Sequence, residues 1–99
     1  MDTIEQFCQE LKQFLSDINA SGFENMPADT IEKLEKIGSA AATLGLKIGK
    51  GLIDNLLSVL KSFQAGTADE RSVSVRFTAL DFYEKNLLGN GGENDVEEL

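Results

Sequence analysis

Few kinds of residue in this chain could do chemistry. Its 99 residues include no histidine, one cysteine (Cys8), and 17 aspartates and glutamates against 9 lysines and arginines. Without imidazole, acid–base work at neutral pH falls to carboxylates whose pKa is shifted by a pocket. Zinc sites lose their usual His and Cys sets. A lone cysteine makes no internal disulfide, and Cys8 falls on an apolar helical stripe, the position of a core thiol. Glu5, Glu10, Asp17, Asp29, Glu32 and Glu35 fall on polar faces beside other charges. A di-iron bundle needs Glu-x-x-His pairs pointing inward, and a phosphate cradle needs a glycine-rich loop after a strand; neither pattern occurs. The expectation is a protein that is not an enzyme, with no catalytic residue, metal or cofactor.

Charge narrows the partners. The net charge is −8, of which Glu93, Asp95, Glu97 and Glu98 supply −4 with no base among them. Such a surface repels phosphate backbones, and no basic face with interleaved aromatics appears, so nucleic acid is not an expected partner. No apolar run reaches the roughly 20 residues that span a bilayer, and Met1-Asp2-Thr3-Ile4-Glu5 lacks the basic start of a signal peptide. A cytoplasmic protein with no membrane partner is expected.

The elements that must position any site are helices. Ile4, Phe7, Cys8, Leu11, Phe14, Leu15 and Ile18 keep the spacing of one helical face over about residues 3 to 20, with Asp2 or Thr3 as cap and Ser21-Gly22 as stop. Asn25-Met26-Pro27 opens a second segment, Pro27 being preset for a first helical turn. Its stripe is Ile31, Leu34, Ile37, Ala41 and Leu44, and Gly45 ends it. The run Gly38-Ser39-Ala40-Ala41-Ala42 lets a neighbouring helix or a partner approach the backbone closely. A third segment, about Lys47 to Gln64, sets Ile48, Leu52, Ile53, Leu56, Leu57, Val59, Leu60 and Phe63 around more than half of its cylinder, as suits a helix with two neighbours. Thr67-Ala68-Asp69-Glu70 has the capping-box pattern with Thr67 at the cap. The fourth segment carries Val73, Phe77, Leu80, Tyr83 or Glu84, and Leu87 on one face. Its start, Ser72 to Phe77, also alternates like a strand, but a lone strand would have no pairing partner, so it is read as helix. These segments imply an all-α, antiparallel up-down-up-down four-helix bundle over residues 1–88, followed by a disordered acidic tail over 89–99.

The stretch Leu34-Glu35-Lys36-Ile37-Gly38-Ser39-Ala40-Ala41-Ala42-Thr43-Leu44-Gly45 resembles the signature of histidine-containing phosphotransfer (HPt) domains, A-H-x-L-K-G-S-A-x-x-L-G. The likeness continues through Leu52, Leu56, Val59, Leu60 and Ala65-Gly66, and about a dozen positions carry it. It implies an HPt-like bundle of the two-component phosphorelay type. Aligned on Leu44-Gly45, Glu35 stands where the family has its phosphorylated histidine, and Gly38 where it has a lysine. Aligned on Gly38-Ser39, Leu34 takes the histidine position. The first register keeps Leu34, Ile37, Ala41 and Leu44 on the core stripe and turns Glu35 outward. Either way the phosphoacceptor is missing, so the chain resembles a degenerate member that has lost the chemistry and kept a docking face. The resemblance implies that this face carries Glu35, Gly38, Ser39 and Ala42, with Lys36 and Lys50 at its edge, and that its partner is a receiver-like or histidine-kinase-like domain. A contrasting expectation is a structural module that self-associates as a homodimer through its third helix.

Overall fold

The structure is a computed structural model that describes residues 3–87. The acidic tail expected from residue 89 lies outside the described residues. Four helices follow one another: α1 (Ile4–Ser21), α2 (Thr30–Thr43), α3 (Lys47–Gln64) and α4 (Glu70–Leu87), with a 3₁₀ turn at Phe23–Asn25 between the first two.

α1 begins where the Thr3 hydroxyl accepts the Gln6 backbone N–H at 3.1 Å, satisfying one of the donors a helix start leaves open. It buries Phe7, Cys8, Leu11, Phe14, Leu15 and Ile18, the expected stripe. α2 starts three residues after Pro27, rather than on it. The Pro27 carbonyl accepts the Thr30 N–H (3.1 Å), and the next bond runs from Lys33 N–H to Asp29 O (3.0 Å). Met26, forced to extended backbone by the proline after it, has φ −62° and ψ 136°. The segment therefore spends one turn on reversal before the helix proper.

α2 and α3 end alike. Gly45 (φ +75°) and Gly66 (φ +81°) take the left-handed conformation that other residues resist. Leu46 N–H then bonds Ala41 O (2.9 Å), and Thr67 N–H bonds Ser62 O (2.8 Å), closing each helix with a Schellman motif. Leu46 packs into the core just beyond the first of them. At the start of α4 the cap is Asp69, whose carboxylate accepts the Ser72 N–H at 2.9 Å. Thr67, the expected cap, instead donates its hydroxyl to Ser62 O (3.1 Å). Because the α3 Schellman turn engages Thr67 from both backbone and side chain, the capping position moves two residues on.

α3 packs most extensively, against α2 on one side and α4 on the other, and α1 closes the ring by touching both α2 and α4. Each helix thus lies beside its neighbours in sequence, as in an up-down-up-down bundle. Phe7, Leu11, Leu34, Ile53, Leu56, Leu60, Leu80 and Leu87 are fully buried, each stabilising the fold by about 1.5–3 kcal/mol before entropy is counted. The wide band on α3 follows from its two neighbours: Ile53, Leu56, Val59 and Leu60 are buried and Ile48, Leu52, Leu57 and Phe63 half-buried. At one end, Phe23 meets Phe77 edge to face, ring centres 5.5 Å apart, tying the α1–α2 connection to α4. The stretch Ser72 to Phe77 is helical throughout; Val73 points inward and Val75 outward.

Candidate functional site

The face centred on α2 is built from the stripe opposite its core residues. Leu34, Ile37, Gly38 and Ala41 are buried, so Glu35, Ser39 and Ala42, at steps of four and three, lie together on the exposed side. Leu34 is 0% exposed. Of the two registers of the resemblance, only the one that sets Glu35 at the histidine position displays a side chain to solvent.

Glu35 leans toward α3, where Lys61 Nζ lies 3.9 Å from its Oε2. Both side chains are more than half exposed, so the pair is worth at most about 1 kcal/mol and mainly fixes where the carboxylate points. Lys61 was not legible as part of this face, because which α3 residue opposes Glu35 depends on how the α2–α3 hairpin closes. Ser39 keeps an exposed hydroxyl, and its carbonyl accepts the Thr43 hydroxyl at 3.1 Å.

The other residues of the expected face separate into two groups. Gly38 is buried rather than presented: a Cβ placed there would stand 3.1 Å from Ile53 Cγ2 and 4.0 Å from Lys50 Cδ. Its small size serves the α2–α3 seam, and the aliphatic stem of Lys50 lies over it. The Lys50 ammonium turns away to Asp54, one turn along α3. Lys36 points around α2 toward α1, pairing with Glu32 at 3.7 Å. It lines a groove between α1 and α2 whose floor is Phe14, Ile18 and Ile37.

Elsewhere, burial shifts two titratable groups, Cys8 and Glu84. The Cys8 thiol is buried, and that burial, helped by the Glu84 carboxylate, pushes its pKa up to about 11. A thiol so placed stays protonated and unreactive at neutral pH. Glu84 itself is raised by desolvation, opposed by Lys12 of α1; on α4, Asp81 raises it further and Lys85 opposes the rise. Among the described residues no three cysteine, aspartate or glutamate side chains converge as a metal site, and no helix is long and apolar enough to cross a membrane. Among the described residues the exposed large hydrophobics are Val75 and Phe82, both on α4. α3 offers none, so Ile53 and Leu57 form no exposed patch there.

Comparison with protein-family models, with curated proteins and with solved structures gives no match.

Proposed function

We propose that the chain is a non-catalytic, HPt-like adaptor of the cytoplasm that docks a receiver-like or histidine-kinase-like protein through α2 without passing a phosphoryl group. The observation that carries the reading is the side-chain alternation at residues 34 and 35: Leu34 is sealed in the core while Glu35 stands in solvent, where the resembled family displays its histidine.

The chemistry of phosphoryl relay needs an exposed neutral imidazole, whose phosphoramidate passes its group on readily. A carboxylate at this point would have to form an acyl phosphate, and Glu35 has Lys61 as its ion-pair partner. What the face retains is recognition. Ser39 and Ala42 are short enough to let a partner helix or loop come close to the α2 backbone. Glu35 contributes a fixed negative charge at the centre of the contact, held by Lys61 near the position of a phosphoryl group.

Glu35→Arg and Ser39→Arg, titrated calorimetrically against a panel of receiver domains, test this. Each is expected to weaken a genuine complex by at least about tenfold, since a reversed charge or a bulky side chain at a contact centre is worth 1.4 kcal/mol or more. Binding left unchanged by both variants ends the reading. A gain of phosphotransfer in Glu35→His would support descent from a phosphorelay domain. Gly38→Lys, the other reversion toward the family pattern, is unsuitable because a side chain there runs into Ile53.

A further inference from the structure

Between α1 and α2 runs an open groove of about 570 Å³, within the size range of small-molecule sites. Its α1 wall extends from Gln9 to Ile18, roughly 14 Å of helix. Phe14, Ile18 and Ile37 make its floor. The two walls differ in charge: α1 contributes Glu10 and Asp17, and α2 contributes Lys33 and Lys36.

One end of the groove holds a polar group that the fold leaves unanswered. Thr30 is 2% exposed, the polar member of the buried set among the described residues, and it lines the groove. Its hydroxyl has no hydrogen-bond partner among those residues. Every fully enclosed side-chain nitrogen or oxygen in them is bonded, so the Thr30 oxygen has to meet open space, and the groove is where it does so. A hydroxyl so deeply buried costs free energy until something bonds it.

The same end is the start of α2. Asp29 supplies no side-chain cap. The Thr30 N–H bonds Pro27 O and the Lys33 N–H bonds Asp29 O. The N–H groups of Ile31 and Glu32 are left with no acceptor among the described residues. Open N–H groups at the positive end of a helix dipole favour an anion. Lys33 stands one turn along, its ammonium 3.5 Å from Asp29 in a pair more than half exposed, loose enough to turn to a new partner. On the opposite wall Asp17 already accepts the Gln13 side-chain amide at 2.8 Å.

We propose that this groove binds an acyl carboxylate of the medium-chain fatty-acid class. The chain lies over Phe14, Ile18 and Ile37. The carboxylate sits at the Thr30 end, where it accepts the Thr30 hydroxyl and pairs with Lys33. A neutral head would leave the open start of α2 unused. A cationic head would be drawn to Glu10 and Asp17 on α1, away from the buried hydroxyl. The lining does not include Glu35, Ser39 or Ala42, so the site is separate from the proposed docking face and does not depend on it. A ligand of about a dozen heavy atoms binds weakly, with Kd on the order of 0.1–1 mM.

Amide NMR of the full chain, titrated with decanoate from about 0.05 mM to about 5 mM, is expected to show saturable shifts clustered at Phe14, Ile18, Thr30, Ile31 and Lys33. Thr30→Val removes the hydroxyl at nearly constant shape and should weaken binding by about tenfold, whereas Thr30→Ser should keep most of it. Lys33→Gln, at an exposed position, should weaken binding severalfold without lowering Tm. Decylamine should move the same amides far less. A titration with no saturable shift overturns the proposal, as do shifts centred on another pair of helices. Decanoate binding indifferent to both Thr30→Val and Lys33→Gln, or decylamine binding as tightly as decanoate, overturns it too.

Discussion

Gly49 and Gly51 are two residues apart on α3 and look alike in the sequence, yet their surroundings are opposite. A Cβ on Gly49 would lie 2.7 Å from the Tyr83 hydroxyl oxygen and 2.9 Å from its Cζ. Tyr83 is 3% exposed and held on the core side of α4, so its ring cannot swing away without opening the α3–α4 seam. Around Gly51 nothing lies within 4 Å. Gly49→Ala is therefore expected to destabilise the fold by about 1–3 kcal/mol through overpacking, and Gly51→Ala to stabilise it by about 0.5–1 kcal/mol by replacing glycine inside a helix. Urea unfolding monitored by circular dichroism checks both at once, and equal effects of the same sign would mean that Tyr83 does not pack as described. The same physics explains what the sequence withheld at this scale. The mid-helix position of Gly38 left packing and docking both open, and the resemblance put it on the docking face. That Ile53 is what it makes room for, and that Gly49 makes room for an aromatic ring, depends on which residue of another helix stands opposite.

Helix interiors were legible from the 3.6-residue spacing of apolar side chains, and α3 was read with its observed bounds, Lys47–Gln64. Helix starts were harder, because several short polar residues compete for the same role. At α4, Thr67 and Asp69 can each cap, and the choice is made by the Schellman turn that ends α3 and engages Thr67. Asp69 is left to accept the Ser72 N–H, and that bond from backbone is the main cause holding its carboxyl below the usual 3.8. A carboxyl depressed in the folded state contributes stability that is fully present above its unfolded value and is lost as pH falls through the folded one. Asp69→Ala is thus expected to lower Tm by a few degrees at pH 7, with the difference from the parent chain shrinking once pH drops below about 4. Asp69→Asn should keep most of the cap at any pH, since an amide oxygen accepts the same bond. Melting curves across that range decide it; an Asp69→Ala deficit that persists undiminished at low pH would place its origin outside the carboxylate. The α2 face follows the same division between periodicity and context. The outward direction of Glu35, Ser39 and Ala42 came from periodicity alone, whereas Lys36, set at the edge of that face, stands one step or 100° round the helix from Glu35, toward the α1–α2 groove.

The molecule as a whole has an uneven distribution of charge over a nearly uniform helical frame. Residues 1–28 hold a net −4 and residues 89–99 another −4, while residues 29–66, with Lys33, Lys36, Lys47, Lys50 and Lys61 against Asp29, Glu32, Glu35 and Asp54, come to +1. The face proposed to dock a partner is therefore the least acidic part of an acidic protein. The acidic groups of α1, Glu5, Glu10 and Asp17, all lie on its exposed side, opposite a stripe of six buried residues. Two opposing effects respond to salt. Screening relieves the general repulsion, which extends over about 10 Å at 0.1 M and about 4–5 Å at 0.5 M. It also weakens ion pairs such as Lys33–Asp29, Lys36–Glu32 and Lys61–Glu35, which are separated by 3.5–3.9 Å and more than half exposed. Exposed pairs of this kind contribute a few tenths of a kcal/mol each and often nothing measurable, whereas self-repulsion acts on every acidic group that lacks a nearby base. Repulsion should win. Raising sodium chloride from about 0.05 M to about 0.5 M is expected to raise Tm by a few degrees, and charge reversal on the exposed face of α1, such as Glu5→Lys, should reduce that gain because less repulsion remains to be screened. Thermal melts of both proteins across the salt range measure it. A Tm that falls with salt would show instead that the helix-surface ion pairs outweigh the net charge.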